Sequence, residues 1–202
     1  MFDAWMRTKI DPPLDKIGEV LSRSGLGANQ ITWIGFVGGM LVVPALATES
    51  YYLAIIAIAF NRLCDGLDGA VARKQGITDL GGYLDITLDF IFYSAVVFGF
   101  ALAMPEENGL AAAFLIFSFM GTGASFLSFA IVAAKKNIST DIRGKKSIYY
   151  LGGLTEGTET ILLFFALCLW PDKFALMAWF FGALCWLTTS FRIHAALSLF
   201  DD

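Results

Sequence analysis

The stretch CDGLDGAVARKQGITDLGGYLDITLDF, from Cys64 to Phe90, places four aspartates inside sequence that is otherwise typical of a membrane protein. Asp65 and Asp68 are spaced i, i+3, and Asp85 and Asp89 are spaced i, i+4, so each pair shares one face of a predicted helix. An ionised aspartate near the centre of a membrane helix costs ~2.5–3.5 kcal/mol on insertion scales. The stretch therefore predicts two facing helices whose carboxylates converge on one site, with glycine and alanine leaving space beside them.

Carboxylates at this density are typical of a site for hard divalent cations. The neighbouring Arg62 and Arg73 cannot neutralise all four acids. Mg²⁺ and Mn²⁺ prefer carboxylate oxygens, and two such ions about 3.5–4 Å apart form the clamp used for displacement at phosphorus. We therefore predict two divalent cations, Mg²⁺ or Mn²⁺, at a phosphoryl-transfer site. For a single membrane aspartate, pairing with arginine or a proton path is the alternative interpretation.

The same residues resemble the signature of the CDP-alcohol phosphotransferases, D-x-x-D-G-x-x-A-R followed after about eight residues by G-x-x-x-D-x-x-x-D. Here DGLDGAVAR occupies residues 65–73 and GGYLDITLD occupies residues 81–89, with seven residues between them. The resemblance implies six transmembrane helices, usually in a homodimer. It also implies an enzyme of phospholipid biosynthesis that transfers a phosphatidyl group from a CDP-linked donor such as CDP-diacylglycerol to a small alcohol, with release of CMP.

The resemblance also implies roles for individual residues. All four aspartates would hold the metals, and Asp89 would in addition deprotonate the acceptor hydroxyl. Gly69 would let the CDP group approach the backbone, and Arg73 would contact its phosphates. The family's P-N-x-x-T-like segment and a hydroxyl residue after Arg73 also contact the donor. The resulting donor-binding candidates are Ala28, Asn29, Gln30, Ile31, Gly69, Arg73 and Thr78, with alanine at position 28 where the family has proline.

The composition predicts an all-α integral membrane protein, because 57% of its 202 residues are hydrophobic and 16% are charged. Residues 1–24 are predicted to form an amphipathic interfacial helix, with a solvated tail as the alternative. Residues 25–202 are predicted to form a six-helix transmembrane domain. Its apolar runs lie near residues 29–47, 51–72, 80–103, 109–134, 148–170 and 174–199.

The distribution of charge predicts how the protein lies in the membrane. Lys173 is the one basic residue in the connections after the first, third and fifth predicted spans. Positive residues stay in the cytoplasm, so both termini and the aspartates are expected on the cytoplasmic side of a bacterial inner membrane. The formal net charge of −4 argues against nucleic acid as a partner.

Glu156 and Glu159 form a second acidic pair, predicted to lie about two turns inside the fifth span. Buried glutamates at that depth indicate either a wall of the acceptor pocket or a pair satisfied by nearby threonine or lysine. If ionised and facing the metals, they would favour a neutral polyol or an amino-alcohol over a phosphorylated acceptor. Three basic residues near the cytosolic boundary would oppose this effect if they covered the cavity: Lys135, Arg143 and Arg192.

Two other classes of function also use carboxylates within a membrane. A divalent-cation transporter would need them, although it would not need Arg73 at the edge of the pocket. A structural membrane protein would use them as a metal clip. Release of CMP from CDP-diacylglycerol distinguishes the transferase from both.

Overall fold

The computed structural model describes residues 3–136 and 153–200, with side chains from Thr8 onward. The described chain is helical, with a short 3-10 turn at Pro171–Lys173 before the last helix. These described residues form eight α-helices: α1 (Asp3–Arg23), α2 (Ala28–Gly39), α3 (Val42–Ala47), α4 (Tyr51–Gln75), α5 (Asp79–Ala103), α6 (Pro105–Lys135), α7 (Gly157–Leu169) and α8 (Phe174–Phe200).

Four helical stretches of the described chain are long and apolar enough to cross a membrane. They are Ala28–Ala47, Asp79–Ala103, Pro105–Lys135 and Pro171–Phe200. The remaining two predicted spans differ from these in opposite ways: α4 is long but carries the charged residues of the site, and α7 is apolar but has 13 residues. The described part of the chain is therefore all-helical, with four candidate membrane spans.

The first predicted span is two helices rather than one. The helix ends at Gly39, residues 40–41 form a turn, and α3 starts at Val42. Pro44 explains the break, because its ring clashes with the carbonyl four residues earlier and it donates no backbone hydrogen bond. The break leaves the polar end of α2 beside the aspartates while α3 enters the apolar core.

The predicted start of the fifth span is wrong: the described residues immediately before Gly157 are not helical. Gly153 to Glu156 is not helical, and α7 starts at Gly157. Glu156 is therefore the N-cap of α7 instead of a residue within a longer helix. Its side chain accepts a hydrogen bond from the backbone N–H of Gly153 at 3.2 Å. Residues 148–152 of the predicted span lie outside the described residues.

The main core lies among α3 to α8 and consists of aromatic and branched side chains. Phe100 stacks on Phe174 with ring centroids 4.8 Å apart, and both side chains are fully buried. Cys168 and Cys185 are buried in the same core as free thiols, where they pack as small apolar side chains. Large apolar side chains also cover the outside, with Tyr52 83% exposed and Leu110 76% exposed. Such an apolar exterior is what a lipid environment requires.

Helix α1 packs directly on the polar half of α4. Leu14 is buried against Gly66, and a Cβ added to Gly66 would lie 2.5 Å from Cδ1 of Leu14. Gly18 lies against Ala70 in the same way. These small residues bring α1 close to the helix that carries Asp65 and Asp68. The side chains of the predicted interfacial residues Phe2, Trp5, Met6 and Arg7 are outside the described part.

Candidate active site

A polar pocket lies between α2, α4 and α5, and the predicted aspartates line it. The space between its lining residues, including the part that is open to solvent, is about 240 Å³. Helices α4 and α5 contribute the acids, which are spaced i, i+3 on α4 and i, i+4 on α5. Helix α2 can pack close to α4 because it has glycine at the contact. A Cβ at Gly35 would overlap Cys64 of α4. The lining residues are Thr32, Gly35, Phe36, Asn61, Arg62, Asp65, Asp68, Asp85, Leu88 and Asp89.

Three of the four carboxylates form a compact group. One oxygen from each of Asp65, Asp68 and Asp85 lies within 4.8 Å of the others. Asp68 is 7% exposed, whereas Asp85 is on the open side of the pocket. A hard divalent cation takes several oxygen ligands, so three carboxylates at this separation fit its chemistry. The prediction that the acids of two helices converge is confirmed for this group, which we call the aspartate trio.

Thr32 orients the buried member of the aspartate trio. Its hydroxyl donates a 2.6 Å hydrogen bond to Oδ2 of Asp68. Thr32 lies one turn inside α2, so this bond joins α2 to the acidic face of α4. The hydrogen bond satisfies one oxygen of this buried carboxylate.

Asp89 lines the same pocket but lies outside the aspartate trio. Its Oδ1 atom accepts a 2.6 Å hydrogen bond from Nη2 of Arg62, and its Oδ2 atom accepts one of 3.1 Å from the Tyr93 hydroxyl. Arg62 also reaches Oδ2 of Asp65 at 3.4 Å. The arginine therefore bridges the two acidic helices at the inner end of the pocket.

Arg62 is itself held in place from α2. Its Nε atom donates to Oδ1 of Asn61 at 2.9 Å, and the Asn61 amide donates to the carbonyl of Gly35 at 3.1 Å. Asn61 has room only because α2 carries glycine beside it: a Cβ at Gly39 would lie 2.7 Å from the Asn61 Cβ. The Arg62 guanidinium also lies 5.4 Å from the ring centroids of Phe92 and Tyr93.

Two of the predicted donor-binding residues meet at the start of α5. A Cβ added to Gly81 would lie 3.1 Å from the Thr78 hydroxyl and 3.3 Å from Oδ1 of Asn29. Thr78 is the N-cap of α5, where its hydroxyl accepts a 3.1 Å hydrogen bond from the backbone N–H of Gly81. The structure thus brings together residues that are about fifty positions apart in the chain.

The rest of the 28–31 segment has structural contacts. Gln30 accepts a 2.9 Å hydrogen bond from the backbone N–H of Gly27 and so caps α2. Ile31 is 4% exposed and packs against Cys64 and Val71. Ala28 packs against the same small cluster. Their predicted contacts with the donor stay predictions.

Gly69 and Arg73 lie on the open side of α4, beside α1. A Cβ at Gly69 would meet one atom within 4 Å, the Nη1 atom of Arg73 at 3.5 Å, so the expected space is present. Arg73 donates to Oδ1 of Asp15 on α1 at 2.7 Å and 3.1 Å. Its side chain is still 38% exposed. Asp15 is a neighbour of the site that sequence spacing did not predict.

Glu156 and Glu159 form the capping box of α7. The Glu159 side chain accepts a 3.1 Å hydrogen bond from the backbone N–H of Glu156, and Glu156 caps in return. Neither glutamate is among the described residues that line the aspartate pocket. Arg192 is buried and donates to the carbonyl of Thr122 at 3.0 Å, whereas Lys135 ends α6. Arg143 lies outside the described residues.

The sequence analysis did not identify Thr32 and Asn61, which line the pocket, or Tyr93, which bonds Asp89 beside it. It also gave only part of the role of Arg62. Thr32 is the threonine of the P-N-x-x-T-like segment, so the motif itself contained the signal. Asn61 and Tyr93 gave no such signal, because a single polar residue in an apolar run does not reveal its partner. Arg62 was noted as a nearby charge, but its bond to Asp89 depends on how α4 and α5 are placed.

The chain belongs to the CDP-alcohol phosphatidyltransferase family, whose family model matches residues 26–193. The resemblance predicted from residues 65–73 and 81–89 is therefore confirmed. The chain is 53% identical over 193 residues to the inner membrane protein YnjF of Escherichia coli (strain K12), with 96% of this chain and 94% of that protein covered. It is 29% identical over 192 residues to the archaetidylinositol phosphate synthase of Pyrococcus horikoshii, covering 95% and 94% of the two chains.

Solved structures share the fold. The phosphatidylinositol phosphate synthase of Mycobacterium tuberculosis with CDP-DAG bound has a TM-score of 0.74 at 20% identity, covering 91% of this chain and 93% of that one. The same enzyme with manganese and citrate has a TM-score of 0.72 at 20% identity, covering 90% and 87%. At this identity the likeness concerns the fold alone.

Proposed function

We propose that this protein is a metal-dependent phosphatidyltransferase that moves a phosphatidyl group from CDP-diacylglycerol, or a related CDP-linked lipid, to the hydroxyl of a small alcohol. The observation that carries the proposal is the aspartate trio, whose carboxylate oxygens lie within 4.8 Å of one another. Gly69, proposed to face the CDP donor, and Asp89, proposed to face the acceptor hydroxyl, both lie near this trio. This placement suits a reaction in which donor and acceptor meet at one phosphorus. Membership of the family supports the same reaction.

The aspartates suit two divalent cations, Mg²⁺ or Mn²⁺, because carboxylate oxygens are the ligands that these ions prefer. Asp65, Asp68, Asp85 and Asp89 would hold them. When bound, the ions would neutralise charge on the pyrophosphate of the donor and on the CMP that leaves. The manganese complex of the fold relative is consistent with such a role.

The residues of the chain supply binding, orientation and proton acceptance. Gly69 leaves room for the CDP group, Arg73 donates to its phosphates, and Asn29 and Thr78 hold it at the start of α5. The acceptor oxygen forms a bond to the phosphorus that carries the lipid, and the bond from that phosphorus to CMP breaks. Asp89 accepts the hydroxyl proton on a carboxylate oxygen as the new bond forms, because an ordinary carboxylate is too weak a base to remove it beforehand.

We infer that the protein crosses the membrane six times, with α4 and α7 added to the four apolar spans. The aspartate site then opens at the end of α4 where Arg73 and Lys74 lie, so it faces the cytoplasm. Helix α1 would rest in the headgroup region on that side, with residues 1–24 as an interfacial segment and residues 25–202 as the transmembrane domain. A homodimer in a bacterial inner membrane is the expected assembly, and the name of the Escherichia coli relative agrees with that location.

The test is an assay of purified protein with labelled CDP-diacylglycerol, Mg²⁺ or Mn²⁺ and a panel of alcohols. The proposal predicts CMP and a new phospholipid in equal amounts, and loss of both products when a chelator removes the metal. Uptake of metal into vesicles without nucleotide turnover would instead favour a transporter. If the protein shows neither turnover nor uptake, a structural protein with a metal clip is the remaining interpretation.

The acceptor is a narrower proposal that rests on Glu156 and Glu159. We retain the prediction that wild type prefers a neutral polyol or an amino-alcohol, although the capping box offers a structural role for both glutamates. The panel must include inositol phosphate, because the names of the Pyrococcus and Mycobacterium relatives contain that group. Preference for a phosphorylated alcohol, or an unchanged ranking in the double variant Glu156→Gln/Glu159→Gln, would contradict the prediction.

A further inference from the structure

An arginine inside an acidic pocket built for divalent cations requires an explanation. Among the described residues that line the pocket, Arg62 carries the positive charge, and its side chain is 16% exposed. A cation that close to the carboxylates competes with metal ions for them. A pocket that served metal binding alone would do better with a neutral residue at this position.

The contacts of Arg62 indicate what offsets this competition. Its closest carboxylate contact is with Asp89, at 2.6 Å, and its contact with Asp65 of the aspartate trio is longer, at 3.4 Å. The guanidinium is planar and has five donors in a fixed geometry, so a bond at one edge fixes what the other edge can reach. The Nε edge of the guanidinium donates to Asn61, and its opposite edge donates to Asp89.

The anchor of this arrangement lies outside the acidic helices. The carbonyl of Gly35 on α2 accepts from Asn61, Asn61 accepts from Arg62, and Arg62 donates to Asp89 on α5. The Tyr93 hydroxyl bonds the second oxygen of Asp89 from one turn further along α5. The position of the Asp89 carboxylate is therefore set by α2 and α4 together, and not only by its own helix.

We propose that Arg62 is a positioning residue for the transfer reaction: it fixes the Asp89 carboxylate apart from the aspartate trio and limits how tightly the acids bind divalent cations. This inference rests on the proposed function. It assigns two opposite consequences to one side chain, since the same charge that orients the proton acceptor also repels the metals. A purely structural arginine would not produce both.

The test compares Arg62→Met and Arg62→Lys with wild type, and uses Arg23→Met as the matched control. Arg23 is an exposed arginine paired with Glu19 on α1 and is not among the residues that line the pocket, so its loss removes the same charge from outside the pocket. Three quantities are measured: Mn²⁺ affinity by electron paramagnetic resonance without donor or acceptor, the thermal midpoint in detergent, and kcat with both KM values.

Arg62→Met is expected to bind Mn²⁺ about tenfold more tightly, because a competing positive charge is gone from the low-dielectric pocket. Its kcat is expected to fall about a hundredfold, the lower end of what a positioned general base contributes, with both KM values within about threefold of wild type. Arg62→Lys keeps the charge and should keep the wild-type Mn²⁺ affinity. Its kcat should fall about tenfold, because one ammonium cannot bond Asn61 and Asp89 in the fixed geometry of a guanidinium.

The inference is overturned if folded Arg62→Met keeps the wild-type kcat, or if it binds Mn²⁺ more weakly with a matching loss of thermal stability. If Arg62→Met does not fold, Arg62→Lys decides: an unchanged kcat overturns the inference, and a lower kcat at unchanged Mn²⁺ affinity supports it. Failure of the proposed function gives a different pattern, in which wild type itself neither binds Mn²⁺ nor releases CMP.

Discussion

At the scale of single residues, the carboxylates differ in what surrounds them. Asp68 is buried and bonded to Thr32, Asp85 is exposed, and Asp89 is bonded to Arg62 and Tyr93. The helical spacing of the signature predicted that these acids would face a common pocket. It did not predict their partners, because Thr32 comes from α2 and the bond of Arg62 to Asp89 depends on how α4 and α5 are placed.

We expect Asp65→Asn and Asp85→Asn each to lower kcat by more than about a hundredfold. Loss of a residue that only supports a metal ligand costs up to about a hundredfold, and a metal ligand itself should cost more. Each change removes one charged oxygen from the aspartate trio while it preserves the size of the side chain. Titration with Mn²⁺ should show weaker binding in both variants. Near-normal turnover with metal still required would remove these residues from direct metal contact.

Gly69→Leu should raise the KM for CDP-diacylglycerol by about tenfold or more, a change that corresponds to ~1.4 kcal/mol. The position has open space beside the aspartates, and a leucine would fill it without striking the fold. Gly109→Leu is the matched control, since a Cβ at Gly109 also meets nothing within 4 Å but lies at the start of α6. If both variants bind the donor like wild type, the open face of α4 is not where CDP lies.

At the scale of helices, the sequence predicted most spans from their apolar length but placed two boundaries wrongly. The apolar run at 29–47 hides the turn at residues 40–41, because Pro44 acts on backbone geometry and not on hydropathy. The start of α7 is set by the capping box of Glu156 and Glu159, which the apolar run had placed about two turns inside a longer helix. In both places local backbone chemistry overrides the hydropathy pattern.

Helix α1 also has a closer relation to the site than its amphipathic pattern predicted. Leu14 and Gly18 fit against small residues of α4, and Asp15 holds Arg73 one turn beyond Gly69. Patterning along α1 identifies an apolar face but not the helix that the face meets. The sequence therefore could not show that α1 reaches Arg73, the arginine predicted to bind the donor.

Asp15→Asn should raise the KM for CDP-diacylglycerol about two- to fivefold with little change in thermal stability, because an exposed ion pair contributes only ~0.2–1 kcal/mol. The loss would come from Arg73, which would no longer be held beside Gly69. Steady-state kinetics at saturating acceptor measures the effect. Glu19→Gln, which breaks an ion pair within α1, serves as the control, and equal KM values in the two variants would contradict a positioning role for Asp15.

At the scale of the whole molecule, the family signature was the part of the sequence that predicted most. It joined α4 and α5 into one site before any contact was known, and the matched region extends over residues 26–193. The identity of the alcohol is beyond the signature, because acceptor recognition depends on side chains gathered from several helices. Residues 137–152, which include Arg143, Lys145 and Lys146, lie outside the described part of the chain.

The most direct measurement of the central claim is CMP release from labelled CDP-diacylglycerol by the purified protein, with Mn²⁺ present and then removed by a chelator. The account predicts metal-dependent CMP release coupled one to one with a new phospholipid, and its loss in Asp85→Asn. CMP release that persists in the chelator, or a protein that binds Mn²⁺ yet turns over no CDP-linked donor with any alcohol of the panel, would contradict it.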